Sequence, residues 1–73
     1  MGTKKIYEVM AFDHSQHEAY PTLSARETST RKIDLLKIAV DWSKKHFRVE
    51  VNLLYVHEDD ESTIEGDELI AAW

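Results

Sequence analysis

Residues 29–47 read STRKIDLLKIAVDWSKKHF, and this stretch decides the fold because it shows the clearest helical pattern in the chain. Apolar and small side chains recur every three or four residues, which is the spacing of one helix face. These side chains are Ile33, Leu36, Ala39, Val40, Ser43 and Phe47. Ser29 or Thr30 is a suitable N-cap, and Lys44, Lys45 and His46 bring positive charge to the negative end of the helix dipole. We therefore expect one amphipathic helix here.

A second apolar set on the same helix points away from the first. At about 100° per residue, Leu35 and Trp42 lie to one side of Leu36, and Ile38 lies almost opposite it, where it is expected to be exposed. The plainer interpretation makes Leu35 and Trp42 the shoulder of the core and Ile38 an isolated surface residue. The alternative is a partner-binding patch formed by Leu35, Ile38 and Trp42.

Two strands are predicted before the helix. Residues 4–13 are rich in β-formers, and a polar connector follows them. Residues 19–27 are assigned to an edge strand, because Pro21 has no N–H to donate to a neighbouring strand. The alternative for this segment is an early helical turn, since Ser24 and Glu27 have the spacing of a capping box.

Two more strands are predicted after the helix. Residues 48–59 alternate apolar and polar side chains, which indicates a strand with one core face. The acidic run that follows is expected to be a loop, with Gly66 marking a turn near its end. Residues 67–73 form a short final strand. This β-β-α-β-β order predicts an α+β fold, in which a small antiparallel sheet of about four strands carries the helix on one face.

The face of this sheet opposite the helix also carries apolar side chains. They are Ile6, Met10 and Phe12 of the first strand and Leu54 and Val56 of the third. Burying each of them is worth about 1.5–3 kcal/mol, so leaving several in water on one surface is unfavourable. We expect this face to bind either a second copy of the chain or a different partner.

Composition narrows the classes of function. The chain has 73 residues, which suits a single small domain. Its net charge of −5 disfavours direct binding to duplex nucleic acid, because that binding needs a basic face to neutralise phosphates. There is no cysteine for a disulfide framework or a thiolate zinc site. No segment is typical of a membrane span or a secretory signal, so we expect a cytoplasmic protein that does not bind membranes.

The candidate chemical sites are weak. His14 and His17 are flanked by carboxylates and belong to a ligand type that zinc accepts, but a polar connector does not fix the directions of the rings. His57 beside acidic residues could act as an acid–base group, although a strand end next to a solvated acidic loop explains it equally well. The serines lack a glycine-flanked elbow, and two glycines cannot build a phosphate-binding loop. We predict no enzyme, no catalytic residue, no metal and no cofactor.

These observations favour a non-enzymatic, acidic protein-interaction module. The first hypothesis is a small regulator or inhibitor that docks on the basic surface of a larger nucleic-acid-handling machine. Phage-encoded and mobile-element inhibitors share this size and charge, which is an analogy and not a motif. The candidate partner-binding residues are Leu35, Ile38, Trp42, Glu58, Asp59, Asp60 and Glu61. The alternative is a homodimeric module that binds a small ligand or single-stranded nucleic acid, with aromatic side chains as stacking surfaces.

Overall fold

The computed structural model of the protein describes residues 2–14 and 20–73. The elements follow one another as β1 (Thr3–Asp13), β2 (Thr22–Ser29), α1 (Lys32–Trp42), β3 (Arg48–His57) and β4 (Asp60–Ala72). The strands form one antiparallel sheet in the order β2-β1-β3-β4. The helix packs on one face of this sheet. The predicted α+β architecture and its element order are confirmed.

The core is a single apolar layer between α1 and the central strands. Val9 and Ala11 lie opposite Val51 and Val49 in the β1–β3 register, and directly opposite residues of an antiparallel pair share one face. All four are 0% exposed. The complete buried cluster comprises Val9, Ala11, Leu35, Ala39, Val49 and Val51. Each central strand therefore contributes two successive side chains of its core-facing side. The helix covers them with one buried side chain per turn.

The face that the helix turns to the sheet is rotated from the one predicted: Ala39 and Leu36 of the predicted face contact the core, but Ile33 and Val40 do not. Leu35 is 1% exposed, whereas Ile33 and Val40 are 50% and 48% exposed. Ile38 and Trp42 are partly buried against the core cluster, so the prediction that Ile38 is exposed is wrong. The side chains that cover the sheet follow the spacing i, i+3, i+4 and i+7, which is a complete helical stripe; they are Leu35, Ile38, Ala39 and Trp42.

The predicted face was wrong because the helix is shorter than predicted. It has 11 residues, so Ser43 and Phe47, which had extended the other stripe, lie outside it. The predicted N-cap at Ser29 or Thr30 is wrong, because the N-cap residue is Arg31 and it has no side-chain cap bond. The Ser29 hydroxyl instead accepts a bond of 3.0 Å from the Arg31 N–H in the turn before α1. At the end, the Ser43 hydroxyl donates to the Val40 carbonyl at 2.7 Å. Such local side-chain bonds compete with continuation of the helix, and Lys44 to His46 fall in the turn that follows.

The edge strand before the helix is confirmed, but with shifted bounds. Ala25, Arg26 and Glu27 pair with β1, so the alternative of an early helical turn over this segment is wrong. β2 continues to Ser29, two residues further than predicted. The connector between β1 and β2 is not described over residues 15–19.

The predicted acidic loop is wrong over most of its length. Only Glu58 and Asp59 form the turn, and β4 starts at Asp60. Gly66 lies within β4 opposite Tyr55 and does not mark a turn. Three irregularities in the β3–β4 register absorb the mismatch between the two strands. The first half of β4 shows no alternation of apolar and polar residues, because both of its faces are exposed.

We predict that Leu35→Ala destabilises the fold by about 2–5 kcal/mol, because it removes the central helix side chain from a fully packed site. Val40→Ala is the matched control on the opposite side of α1, and its effect should stay within about 0.5 kcal/mol. Urea unfolding followed by circular dichroism measures both. Equal losses for the two variants would contradict the observed helix face.

Candidate interaction surfaces

The β3–β4 hairpin concentrates carboxylates at one end of the sheet. Five exposed acidic residues lie there, and we call them the acidic hairpin: Glu58, Asp59, Asp60, Glu61 and Glu65. Lys4 of β1 forms an ion pair with Glu61. The strand register brings His57 opposite Thr3, so the hairpin lies at the end of the sheet where β1 begins. Negative charge is thus gathered on one tip of a molecule whose longest dimension is 46 Å.

Hydrogen bonds hold the acidic hairpin in a defined shape. The Asp60 carboxylate accepts from the Ser62 hydroxyl at 2.5 Å, the Thr63 hydroxyl at 2.9 Å and the Ser62 N–H at 3.0 Å. These donors, the Ser62 hydroxyl first, lower the pKa of Asp60. The Asp59 N–H donates to Nδ1 of His57 at 3.1 Å. The Asp60 carboxylate therefore stabilises the turn itself, and Glu61 pairs with Lys4, whereas the Glu58 and Asp59 side chains are exposed to solvent.

A shallow depression lies beside the hairpin. It has a volume of about 420 Å³, is open to solvent and is lined by Gly2, Thr3, His57 and Glu65. The Glu58 N–H donates to the Gly2 carbonyl at 3.0 Å and joins the start of β1 to the turn. Small-molecule sites usually enclose most of their ligand, and this depression does not. It is therefore a polar surface depression next to the acidic hairpin.

The two histidines that were considered as a metal pair and set aside, His14 and His17, lie in or next to the connector after β1. His17 lies outside the described residues. His14 packs edge-on against the Phe47 ring, with 4.1 Å between ring centroids. Within residues 2–14 and 20–73, no cluster of three or more metal-ligating side chains occurs.

The structure does not bring the two halves of the predicted partner-binding set together. Leu35 is buried in the core, and Ile38 and Trp42 pack against it. Trp42 lies at the end of the sheet away from the acidic hairpin, since its carbonyl accepts from the N–H of His46, which contacts the end of β1. Leu35, Ile38 and Trp42 therefore serve the core, and Glu58, Asp59, Asp60 and Glu61 form a surface of their own.

Asp13 fixes the opposite end of the sheet, and sequence reasoning gave it no such role. Its carboxylate accepts from the Phe47 N–H at 3.1 Å and lies 2.7 Å from Nδ1 of His46. The Ser24 hydroxyl, His46 and the Phe47 N–H, in that order, lower the pKa of Asp13 to about 2. One side chain thus ties β1 to β2 and to the turn after α1. These partners lie far apart along the chain, so no local pattern signals the contact.

The sheet face away from the helix, which we call the open face, is covered by no described element. Alternation along β1 and β3 places the predicted set on it: Ile6, Met10, Phe12, Leu54 and Val56. Leu54 and Val56 are 6% and 1% exposed, because neighbouring side chains of the sheet already shield them. Edge-strand residues that sequence reasoning missed are more accessible, and they are Leu23, Ile64 and Leu69. Ile64 was missed because it lies in the segment predicted as a loop, and Leu23 and Leu69 were missed because register shifts in the edge strands decide which face they join.

Comparison of the chain with protein-family models, curated proteins and solved structures gives no match. In the part of the chain that the structure describes, no helix is long and apolar enough to cross a membrane. The function must therefore be argued from the surfaces themselves.

We predict that Asp13 makes stability depend on pH in the acid range. Its folded-state pKa of about 2 lies below the ordinary value of 3.8, so its contribution is present above pH 3.8 and is lost as the pH falls towards 2. In Asp13→Asn, the urea midpoint should fall less between pH 4 and pH 2 than in the wild type. Ser24→Ala should reproduce part of this change. Parallel pH curves for wild type and Asp13→Asn would exclude the role assigned to Asp13.

Proposed function

We propose that the protein is a non-enzymatic interaction module that docks through its acidic hairpin on a basic surface of a larger protein. The observation that carries this proposal is the ordered group of five exposed carboxylates on one tip of the molecule, with Lys4 as a neighbouring cation. Its turn is held by side-chain and backbone hydrogen bonds. A surface whose shape is set before binding loses less conformational entropy when a partner docks.

The charge of the hairpin favours a basic partner. Exposed charges act together over about 8–10 Å at physiological salt, which is the scale of this two-stranded tip. Complementary charge chiefly accelerates and orients association. Proteins that handle nucleic acids expose basic grooves for phosphates, and a regulator or inhibitor of such a machine would act by occupying that groove.

The position of β4 supports the same class of partner. It is an edge strand of 13 residues, so its outer backbone groups face away from β3. Carboxylates along an edge repel a second acidic edge and so limit pairing between copies. A segment rich in lysine and arginine meets no such repulsion and can approach both the hairpin and the edge.

The test is affinity capture from cells that produce the protein, with two variants of equal charge. The hairpin variant carries Glu58→Gln, Asp59→Asn and Glu61→Gln. Asp60 is kept because it bonds Ser62 and Thr63. The control variant carries Glu27→Gln, Asp34→Asn and Asp41→Asn, which neutralise three carboxylates outside the hairpin. We expect wild type and control to recover the same protein and the hairpin variant to lose it.

The captured protein should elute with moderate salt, because contacts between exposed charges are screened. Its recovery by the hairpin variant at the wild-type level would contradict the proposal. So would a capture in which no protein recovered by the wild type responds to salt.

A further inference from the structure

The open face carries apolar side chains between charged ones. Water reaches apolar side chains on three of its strands: Ile6, Met10 and Phe12 on β1, Leu23 on β2, and Ile64 and Leu69 on β4. The register places Phe12 opposite Leu23 and Val56 opposite Ile64, so apolar side chains meet across strands at both ends of the face. An exposed apolar surface of this kind usually marks an interface.

The charges on the open face nearly balance, although the whole chain carries −5. Its three basic side chains form ion pairs, Lys4 with Glu61, Arg26 with Glu8, and Arg48 with Glu50. One further carboxylate, Asp67, lies opposite Leu54 on β4. A nearly neutral face repels an identical face only weakly. It also gives a basic partner no electrostatic reason to bind there.

The polar groups already buried at the centre of this face have partners. Glu8 and Asn52 lie opposite each other and are only 7% and 8% exposed. Arg26 donates to Glu8. In the described residues, no side-chain nitrogen or oxygen that is already buried lacks a hydrogen-bond partner. Burying a charge without a partner is strongly unfavourable, so a second sheet is expected to cover the centre and to leave the Asp67 carboxylate, on the edge strand β4, in water.

The size of the face sets the expected affinity. Strands about 4.8 Å apart and about ten residues long outline a surface of roughly 600 Å² for a four-stranded sheet. Standard interfaces bury about 800 Å² on each partner, so a complex through this face is weak but specific. The molecule is only 15 Å thick in its shortest dimension, and a second sheet would convert its single apolar layer into the interior of a sandwich.

We infer that the open face binds a second copy of this chain, giving a two-fold symmetric dimer with the sheets face to face and the helices outside. Such symmetry requires a self-complementary patch, and a nearly neutral sheet face with apolar side chains on three strands provides it. Two sheets pack about 10 Å apart with their strands rotated by about 30°. The acidic hairpin lies at the tip of the sheet, so this dimer is independent of docking on a basic partner.

The test is sedimentation equilibrium of the full chain, for which we expect a dimer with a Kd of roughly 1–100 µM. The face variant carries Leu23→Lys and Leu69→Lys, and the control carries Ile33→Lys and Val40→Lys on α1. All four positions are about half exposed, so the two variants add equal charge at equally accessible sites. The face variant should raise Kd by about tenfold or more, because it buries unpaired ammonium groups. The control should dimerise like the wild type.

Further readouts separate this inference from the proposed function. Dimerisation should change little with salt and should survive in the Glu58→Gln, Asp59→Asn, Glu61→Gln variant, which abolishes hairpin docking. If the face variant does not fold, a soluble paramagnetic probe is used on the wild type: broadening of the Met10 and Ile64 methyl signals should fall with protein concentration, and that of Val40 should not. A wild-type chain that stays monomeric through the stated range, or equal weakening by the control, overturns the inference.

Discussion

The whole structure depends on one apolar contact layer, in which Leu35 and Ala39 of α1 press on the valine and alanine rows of β1 and β3. A chain of 73 residues buries only about 60% of the surface that it exposes when unfolded. Among the described residues, no second core cluster could compensate if this layer lost an apolar side chain. The helix must therefore pack its longest apolar stripe against the sheet, and that stripe is the one that includes Trp42.

Polar contacts at the two ends of the sheet add to that thin core. Side-chain hydrogen bonds there fix the turns that join the elements. Asp13 gathers Ser24, His46 and Phe47 at one end, and Asp60 gathers Ser62 and Thr63 at the other. Both carboxylates have lowered pKa values because their partners favour the ionised form. The bonds from Ser62 and Thr63 to Asp60 also hold the acidic hairpin in a defined shape.

The architecture could be predicted because the segments with the strongest periodicity do form the helix and the central strand β3. The alternation from Val49 to Leu53 and the helical repeat around Leu36 were sufficient to predict four strands and one helix. The predictions of the helix face and of the start of β4 were wrong, because two apolar patterns competed on the helix and no pattern was present in β4. On the helix, stripes through Leu36 and through Leu35 were both apolar, and the helix ends at Trp42, which removes Ser43 and Phe47 from the first stripe. The first half of β4 is exposed on both faces and shows no alternation at all.

The same limits explain which parts of the surfaces could be predicted. The acidic residues near Glu58 are adjacent in sequence, so their clustering is visible without a structure. The pairing of charges on the open face is not visible, because it arises from register: Arg26 meets Glu8 across 18 positions of the chain. The net charge of the protein therefore lies mainly outside the open face. Under the two proposals, charge would select a basic partner at the tip, and apolar burial would select an identical sheet at the face.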